Sequence, residues 1–277
     1  MVRQNGRRRR AAPSAGKRCR GRRGFTLIEL IVVIALIILL LTILSPGLYL
    51  VSMLVVRTGC QMNERGMGTA MLGYTADNDS YFPGHVDGRR NGVREIAVWP
   101  TRMRLYAGGD VDMFWCPAQP EGFRWRRVYG AGPPDYAAQI HADEWGYDVG
   151  EKLLNVHTVP FSYGYNDWGA HGAFVNSGLG GDMWSWPYVP LSRVVDPGNM
   201  IAVADTVRTG SWDFNIDPGN WREYPSQIHD GGAEFLFADG HSEWISQADA
   251  TNVFDLDDPE AREMNRRWNN SNQPERY

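Results

Sequence analysis

Cysteine is scarce in this chain: there are three in 277 residues, Cys19, Cys60 and Cys116, and no two of them stand as Cys-x-x-Cys. That excludes the commonest redox and zinc-clip arrangements. The sequence also has no Gly-x-Ser-x-Gly elbow, no His-Glu-x-x-His helix and no phosphate-binding loop. Hydrolase, zinc-peptidase and nucleotide chemistry each need one of those spacings, so the expectation is that the chain is not an enzyme. Acid is missing from residues 1–24, which hold ten Arg or Lys and so carry +10. Beyond them, 18 basic residues face 32 acidic ones, a balance of −14 over residues 25–277. A surface of that sign argues against a nucleic-acid partner.

What is present is one long apolar run, within Arg22 to Gly47, in which Leu30 to Leu44 is interrupted only by Thr42. At about 1.5 Å per residue, the roughly 20 residues needed to span a bilayer are available. The basic block before it should stay cytoplasmic by the positive-inside rule, which sends the remainder outward. Glu29 sits near the start of this run. A carboxylate in the bilayer costs on the order of 2.5–3.5 kcal/mol at the centre and less near the interface, so it calls for a partner. No Ala-x-Ala site follows the apolar core, as a cleaved secretory or twin-arginine signal would require, and Cys19 precedes the run, which excludes a lipoprotein.

The stretch Gly24-Phe25-Thr26-Leu27-Ile28-Glu29 resembles the type III signal peptide of type IV pilins and type II secretion pseudopilins. The resemblance implies cutting after Gly24 by a prepilin peptidase and methylation of the new N-terminal Phe25. Glu29 would then meet the positive N-terminal amine of a neighbouring subunit during fibre assembly. An ion pair in a low dielectric has that property: losing one partner costs far more than the intact pair contributes.

Downstream, Met53, Leu54, Val56, Cys60, Met67, Met71 and Tyr74 recur mostly three or four apart, which predicts that the helix continues, although Gly59, Gly66, Gly68 and Gly73 oppose it. Pro46 should kink it. A helix from Phe25 to Ala76 would be roughly 75–80 Å long. After the polar stop Asp77-Asn78-Asp79-Ser80, short apolar runs broken by Gly, Pro, Asn and Asp read as antiparallel strands with long loops: Met113 to Cys116, Phe161 to Tyr165, Met200 to Ala204, Phe235 to Ala238 and Ser242 to Ile245. Residues 130–150 and 169–188 read as surface loops. Asp257 to Tyr277 reads as a short polar helix and tail, disordered from Asn269. Cys60 and Cys116 lie beyond the membrane, where an oxidising compartment allows one disulfide; two buried thiols are the other reading.

A second resemblance covers this outer part. Cys60-Gln-Met-Asn-Glu-Arg65, Tyr74, Phe82-Pro83, Phe114-Trp-Cys-Pro117, Tyr163-Gly-Tyr-Asn166, Ala204-Asp-Thr206, and His229 with Asp239-Gly240 after nine intervening residues look like the pilin-like family described by an H-X9-DG motif. One departure is Glu64, where that family has a small or apolar residue.

From the residues themselves, Asp239-Gly240 between apolar runs predicts a hairpin with a two-residue type I′ turn. Phe235 would then pair with Trp244 and Phe237 with Ser242, placing Phe235, Phe237 and Trp244 on one face. The motif is expected to be architectural, with His229 hydrogen-bonded to hold the loop to the hairpin. Its functional reading is a small metal or catalytic site of His229, Asp239, His241 and Asp205. Calcium has a weak candidate in Asp213, Asn215, Asp217 and Glu223, spaced like the start of an EF-hand loop. Pro218 stands where Gly is required, however, and the twelfth position is Tyr224, so Glu223 misses by one. The expected cofactor is therefore none. Eleven tryptophans, with Trp184 and Trp186 among them, raise an alternative function: a membrane-anchored, extracytoplasmic carbohydrate-binding module.

The reading is an α+β, pilin-like fold: a basic leader at 1–24, the membrane part of a long helix at 25–48, its outer half at 49–76, a β-rich extracytoplasmic domain at 77–250, and a polar helix and tail at 251–277. The implied role is a single-pass inner-membrane structural subunit. Its partners would be prepilin peptidase, other pilin-like subunits and the pilus or type II secretion machinery.

Overall fold

The computed structural model describes residues 24–87, 97–129, 146–148, 150–151, 154, 161–168, 177–180, 188–207 and 214–276. Helix α1, Leu27–Asp77, runs unbroken through Pro46 and through all four glycines. Up to Tyr49 it forms a unit of its own, with the apolar side chains from Leu27 to Leu48 exposed. From Leu50 onward it belongs to a second compact unit, the sheet domain, where Met67, Ala70 and Met71 are buried. The polar stop ends the helix as expected: Asp79 and Ser80 take positive φ, and Ser80 N–H bonds back to Thr75 C=O at 2.9 Å. Left-handed residues after the last turn satisfy its free carbonyls.

A five-stranded sheet forms the centre, in the order β5-β3-β4-β6-β7, with β3 Tyr163–Asn166, β4 Ile201–Asp205, β5 Asn215–Ile216, β6 Gly232–Phe237 and β7 Ser242–Ser246. It is antiparallel except that β3 and β5 run parallel. A separate two-stranded ribbon pairs β1 Val86–Asp87 with β2 Ala97–Val98 and leads into α2, Trp99–Tyr106. The segment Met113 to Cys116, expected as a strand, instead begins as a 3-10 turn, Asp112–Phe114. Asp110 Oδ1 accepts from Asp112 N–H at 2.9 Å and Asp112 C=O from Trp115 N–H at 3.1 Å, so local polar bonds outcompete a ladder.

Both faces of the sheet are covered. On one face Tyr163, Tyr165, Val203 and Leu236 pack with Met67 and Met71 of α1. On the other, Ile201, Ala204, Phe235, Phe237 and Ile245 pack around Trp268, from the C-terminal helix Pro259–Trp268. This is why β4 and β6 are apolar at almost every position rather than at alternate ones. The C-terminal tail corrects the expectation of disorder. Asn269 and Asn270 are buried, Asn270 N–H donates to Ser177 C=O at 2.7 Å, and Asn265 exchanges two bonds with the backbone of Glu275.

The hairpin also differs from expectation by one residue. Phe235 faces Glu243, Glu234 faces Trp244 and Leu236 faces Ser242. Gly240 N–H donates to Phe237 C=O and Phe237 N–H to His241 C=O, both at 2.9 Å, and Gly240 alone in the turn has positive φ, +93°. The loop is therefore three residues, Ala238-Asp239-Gly240, a type I turn closed by a left-handed glycine. One extra loop residue shifts the register and sends Trp244 to the α1 face, away from Phe235 and Phe237.

Candidate functional site

The start of the membrane helix is a reciprocal cap. Glu29 Oε2 accepts from both the backbone N–H and the hydroxyl of Thr26 at 2.8 Å, and Thr26 Oγ1 accepts from Glu29 N–H at 3.3 Å. Thr-x-x-Glu ahead of an apolar run is the capping-box signature, a signal in the sequence that the charge argument passed over. Gly24 and Phe25 precede the helix and are exposed. Residues 1–23, with Cys19 and most of the basic leader, lie outside the described residues. Helix α1 is, among the described residues, the one helix long and apolar enough to cross a membrane.

In the sheet domain, Cys60 of α1 and Cys116 form a disulfide with Cα atoms 5.2 Å apart. His229 Nε2 lies 3.2 Å from Cys116 Sγ and 3.3 Å from Asp205 Oδ2, all three side chains being buried. Because that sulfur is bonded to Cys60, the arrangement offers no thiolate nucleophile and no thiolate metal ligand. His229 holds the neck of the hairpin through its backbone as well: it trades bonds with Gly232, and its C=O accepts from Trp244 Nε1 at 2.7 Å. Asp239 and His241 lie at the hairpin's other end, half exposed, paired with each other at 2.6 Å. The set His229, Asp239, His241 and Asp205 is thus split between the two ends of β6.

The α1 face of the hairpin carries Arg57 and Glu234, which the sequence did not single out, and Glu64, which it marked only as a departure from the family pattern. Arg57 Nε donates to Glu234 Oε1 at 2.5 Å and Gln61 Nε2 to Glu234 Oε2 at 3.0 Å, while the Arg57 guanidinium stacks on Trp244. Glu64 is fully buried, and neither of its carboxylate oxygens has a hydrogen-bond partner among the described residues. Burial, then the negative charges of Asp205 and Glu234, hold its carboxyl well above the ordinary carboxylate value of 4.5.

The calcium candidates are rearranged. Asp213 lies outside the described residues. Asn215, Asp217 and Glu223 are buried and gather instead around Asp167, the residue after β3. Burial and then Asp217's charge push the Glu223 carboxyl up to about 8. Among tryptophans, Trp99, Trp125, Trp168 and Trp268 are buried in the cores, Trp221 is exposed, and Trp184 and Trp186 lie outside the described residues.

A family model matches the chain. It is the prokaryotic N-terminal methylation motif, over residues 19–45. The match spans Gly24, Phe25, Thr26 and Glu29 together with most of the apolar segment. With the long helix packed on a sheet domain it is consistent with the pilin-like superfamily, and it supports a membrane-anchored structural role and an interaction with a prepilin-peptidase-like processing system. No curated protein and no solved structure matches.

Proposed function

We propose that the chain is a prepilin-like structural subunit. It is inserted in the inner membrane by α1 with its sheet domain outside. Prepilin peptidase cuts it after Gly24 and methylates Phe25, and partner proteins then assemble it into a type IV pilus-like or type II secretion pseudopilus fibre. The methylation-motif match over residues 19–45 carries this reading. Catalysis belongs to the peptidase, which has to reach the Gly24-Phe25 bond; both residues stand before the first helical turn.

Mass spectrometry of the chain from cells with active peptidase should find N-methyl-Phe25 as the first residue, and Gly24→Trp should leave the leader attached. An intact leader on the wild-type chain in those cells overturns the processing. Correct processing without the chain in sheared surface fibres or in a secretion complex overturns the assembly. A carbohydrate-binding module would stay in the membrane fraction and bind polysaccharide.

A further inference from the structure

Side chains from four separate segments converge where α1 meets the neck of the hairpin: Cys60 on α1, Cys116 after the 3-10 turn, Asp205 at the end of β4 and His229 before β6. One sulfur from each cysteine, a carboxylate oxygen and a ring nitrogen all lie within 4.8 Å of one another, and none of the four residues is more than 5% exposed. His229 is the hub. Its Nε2 stands 3.2 Å from Cys116 Sγ and 3.3 Å from Asp205 Oδ2.

A nucleophilic relay of Cys, His and Asp would use the two ring nitrogens separately, one for the acid and one for the sulfur. Here a single nitrogen faces both. Around a tetrahedral zinc, bonds of about 2.0 Å to nitrogen and oxygen and about 2.3 Å to sulfur make the N···O edge about 3.3 Å and the N···S edge about 3.6 Å. The observed spacings are close to those edges. Asp205 adds an independent sign: its Oδ2 also accepts from Glu234 N–H at 3.1 Å, which fixes the carboxylate, while its buried Oδ1 has no hydrogen-bond partner among the described residues. A buried carboxylate oxygen without a donor is costly unless a cation or a proton satisfies it.

We propose that Cys60, Cys116, Asp205 and His229 form a zinc site when the Cys60–Cys116 bond is reduced, so that the same residues tie α1 to the sheet in either redox state. Two sulfurs, one imidazole and one carboxylate, all buried, make a closed structural zinc site and not a catalytic one. Calcium and magnesium take oxygen donors and would find one such residue. Opening the bond needs a two-electron reductant, either a phosphine, which becomes its oxide with oxygen from water, or a dithiol, which becomes a disulfide. The break leaves two thiols. Zinc then replaces their two protons, which pass to solvent, and His229 binds as the neutral ring. A disulfide beside ionised Asp205 and a dication held by two thiolates and that carboxylate carry the same single negative charge, so the neighbouring Glu64 and Glu234 face no new charge. The inference goes beyond the methylation motif and does not depend on fibre assembly.

The test uses the chain from Phe25 onward in detergent, whose two cysteines are Cys60 and Cys116. It is reduced with a phosphine in mild denaturant, returned to oxygen-free buffer and titrated with cobalt, zinc or magnesium chloride. Cobalt should bind at one per chain, with the sulfur-to-metal charge-transfer and d–d bands of a tetrahedral thiolate site, and one equivalent of zinc should remove them. Zinc at about a hundredfold over its dissociation constant should raise the Tm of the reduced chain by roughly 5–10 °C, and magnesium should leave it unchanged. The oxidised chain should show neither effect. Zinc-edge X-ray absorption on the wild type, which needs no variant to fold, should count two sulfurs at about 2.3 Å and two lighter donors at about 2.0–2.1 Å. His229→Gln and Asp205→Asn, each melted first in the oxidised form to establish folding, should lower the zinc affinity of the reduced chain by roughly tenfold or more. No cobalt bands in the reduced wild type, equal bands in the oxidised chain, a sulfur count other than two, or undiminished affinity in both variants overturns the site.

Discussion

The backbone of Gly68 on α1 touches that of Gly240 at the hairpin tip: a Cβ on Gly68 would stand 2.9 Å from Gly240 Cα and 2.9 Å from Leu236 Cδ1. The glycine that argues against a helix by propensity is there because the H-X9-DG turn rests on it. Gly68→Ala should therefore destabilise the domain. The helix would gain about 1 kcal/mol in propensity, but overpacking against backbone costs roughly 1–3 kcal/mol and has no flexible side chain to absorb it. Gly240→Val should do the same through its φ of +93° and through Leu72 Cδ1, 3.3 Å from an added Cβ. Urea denaturation of the mature chain in detergent measures both. A Gly68→Ala variant more stable than wild type would show that the turn does not rest on the helix.

Glu64 should give the domain a pH slope opposite to that of a salt-bridged carboxylate. Its folded carboxyl is held above 4.5 by burial and by Asp205 and Glu234, while the unfolded chain titrates near the ordinary value. Between those two points the unfolded state binds fewer protons. The stability tied to Glu64 is thus complete below about pH 4.5 and is lost as pH rises through the folded value. Glu64→Gln should match wild type at pH 4 and melt higher at pH 8. Parallel melting curves across that range would disprove the account.

The helix and four strands of the central sheet were legible because apolar periodicity and breakers such as Asp77 to Ser80 are local. The register of the hairpin was not. Asp-Gly is compatible with a two- or a three-residue loop, and the choice is made where Gly240 meets Gly68, a contact 172 positions apart in the sequence. The methylation motif was legible because it is a linear string, and the family model matches it over residues 19–45, whereas the capping role of Thr26 was passed over. Asp167 was invisible for a different reason. The acidic cluster combines a β3 end with a β5 loop, so spacing within Asp213 to Glu223 could not count its members.

The Cys60–Cys116 bond closes a loop with a sequence separation of 56 residues and ties α1 to the 3-10 turn at Phe114. In the chain-entropy model such a closure is worth on the order of 4 kcal/mol. The Cys60→Ser, Cys116→Ser double variant should lose a comparable amount in denaturant, and the wild type should lose it on adding reductant under unfolding conditions. Equal midpoints with and without reductant would show that the bond does not form in the purified chain.

The last prediction separates two roles of Glu29. Inside one chain it caps α1 through Thr26, and an amide can do that as well as a carboxylate, since the capping box accepts Glu or Gln. Pairing with a neighbour's N-terminal amine needs the charge, and within a bilayer a lost charge partner is expensive. Glu29→Gln should therefore keep insertion, cleavage and helix content while incorporation into fibres drops. Thr26→Ala should show the reverse pattern: a frayed first turn, with capping substitutions costing about 0.5–2 kcal/mol, and a much smaller assembly defect. Sheared-fibre yield and N-terminal mass spectrometry on the two variants read both effects. If Glu29→Gln assembles like wild type while Thr26→Ala does not, the carboxylate is a cap and not a registration charge.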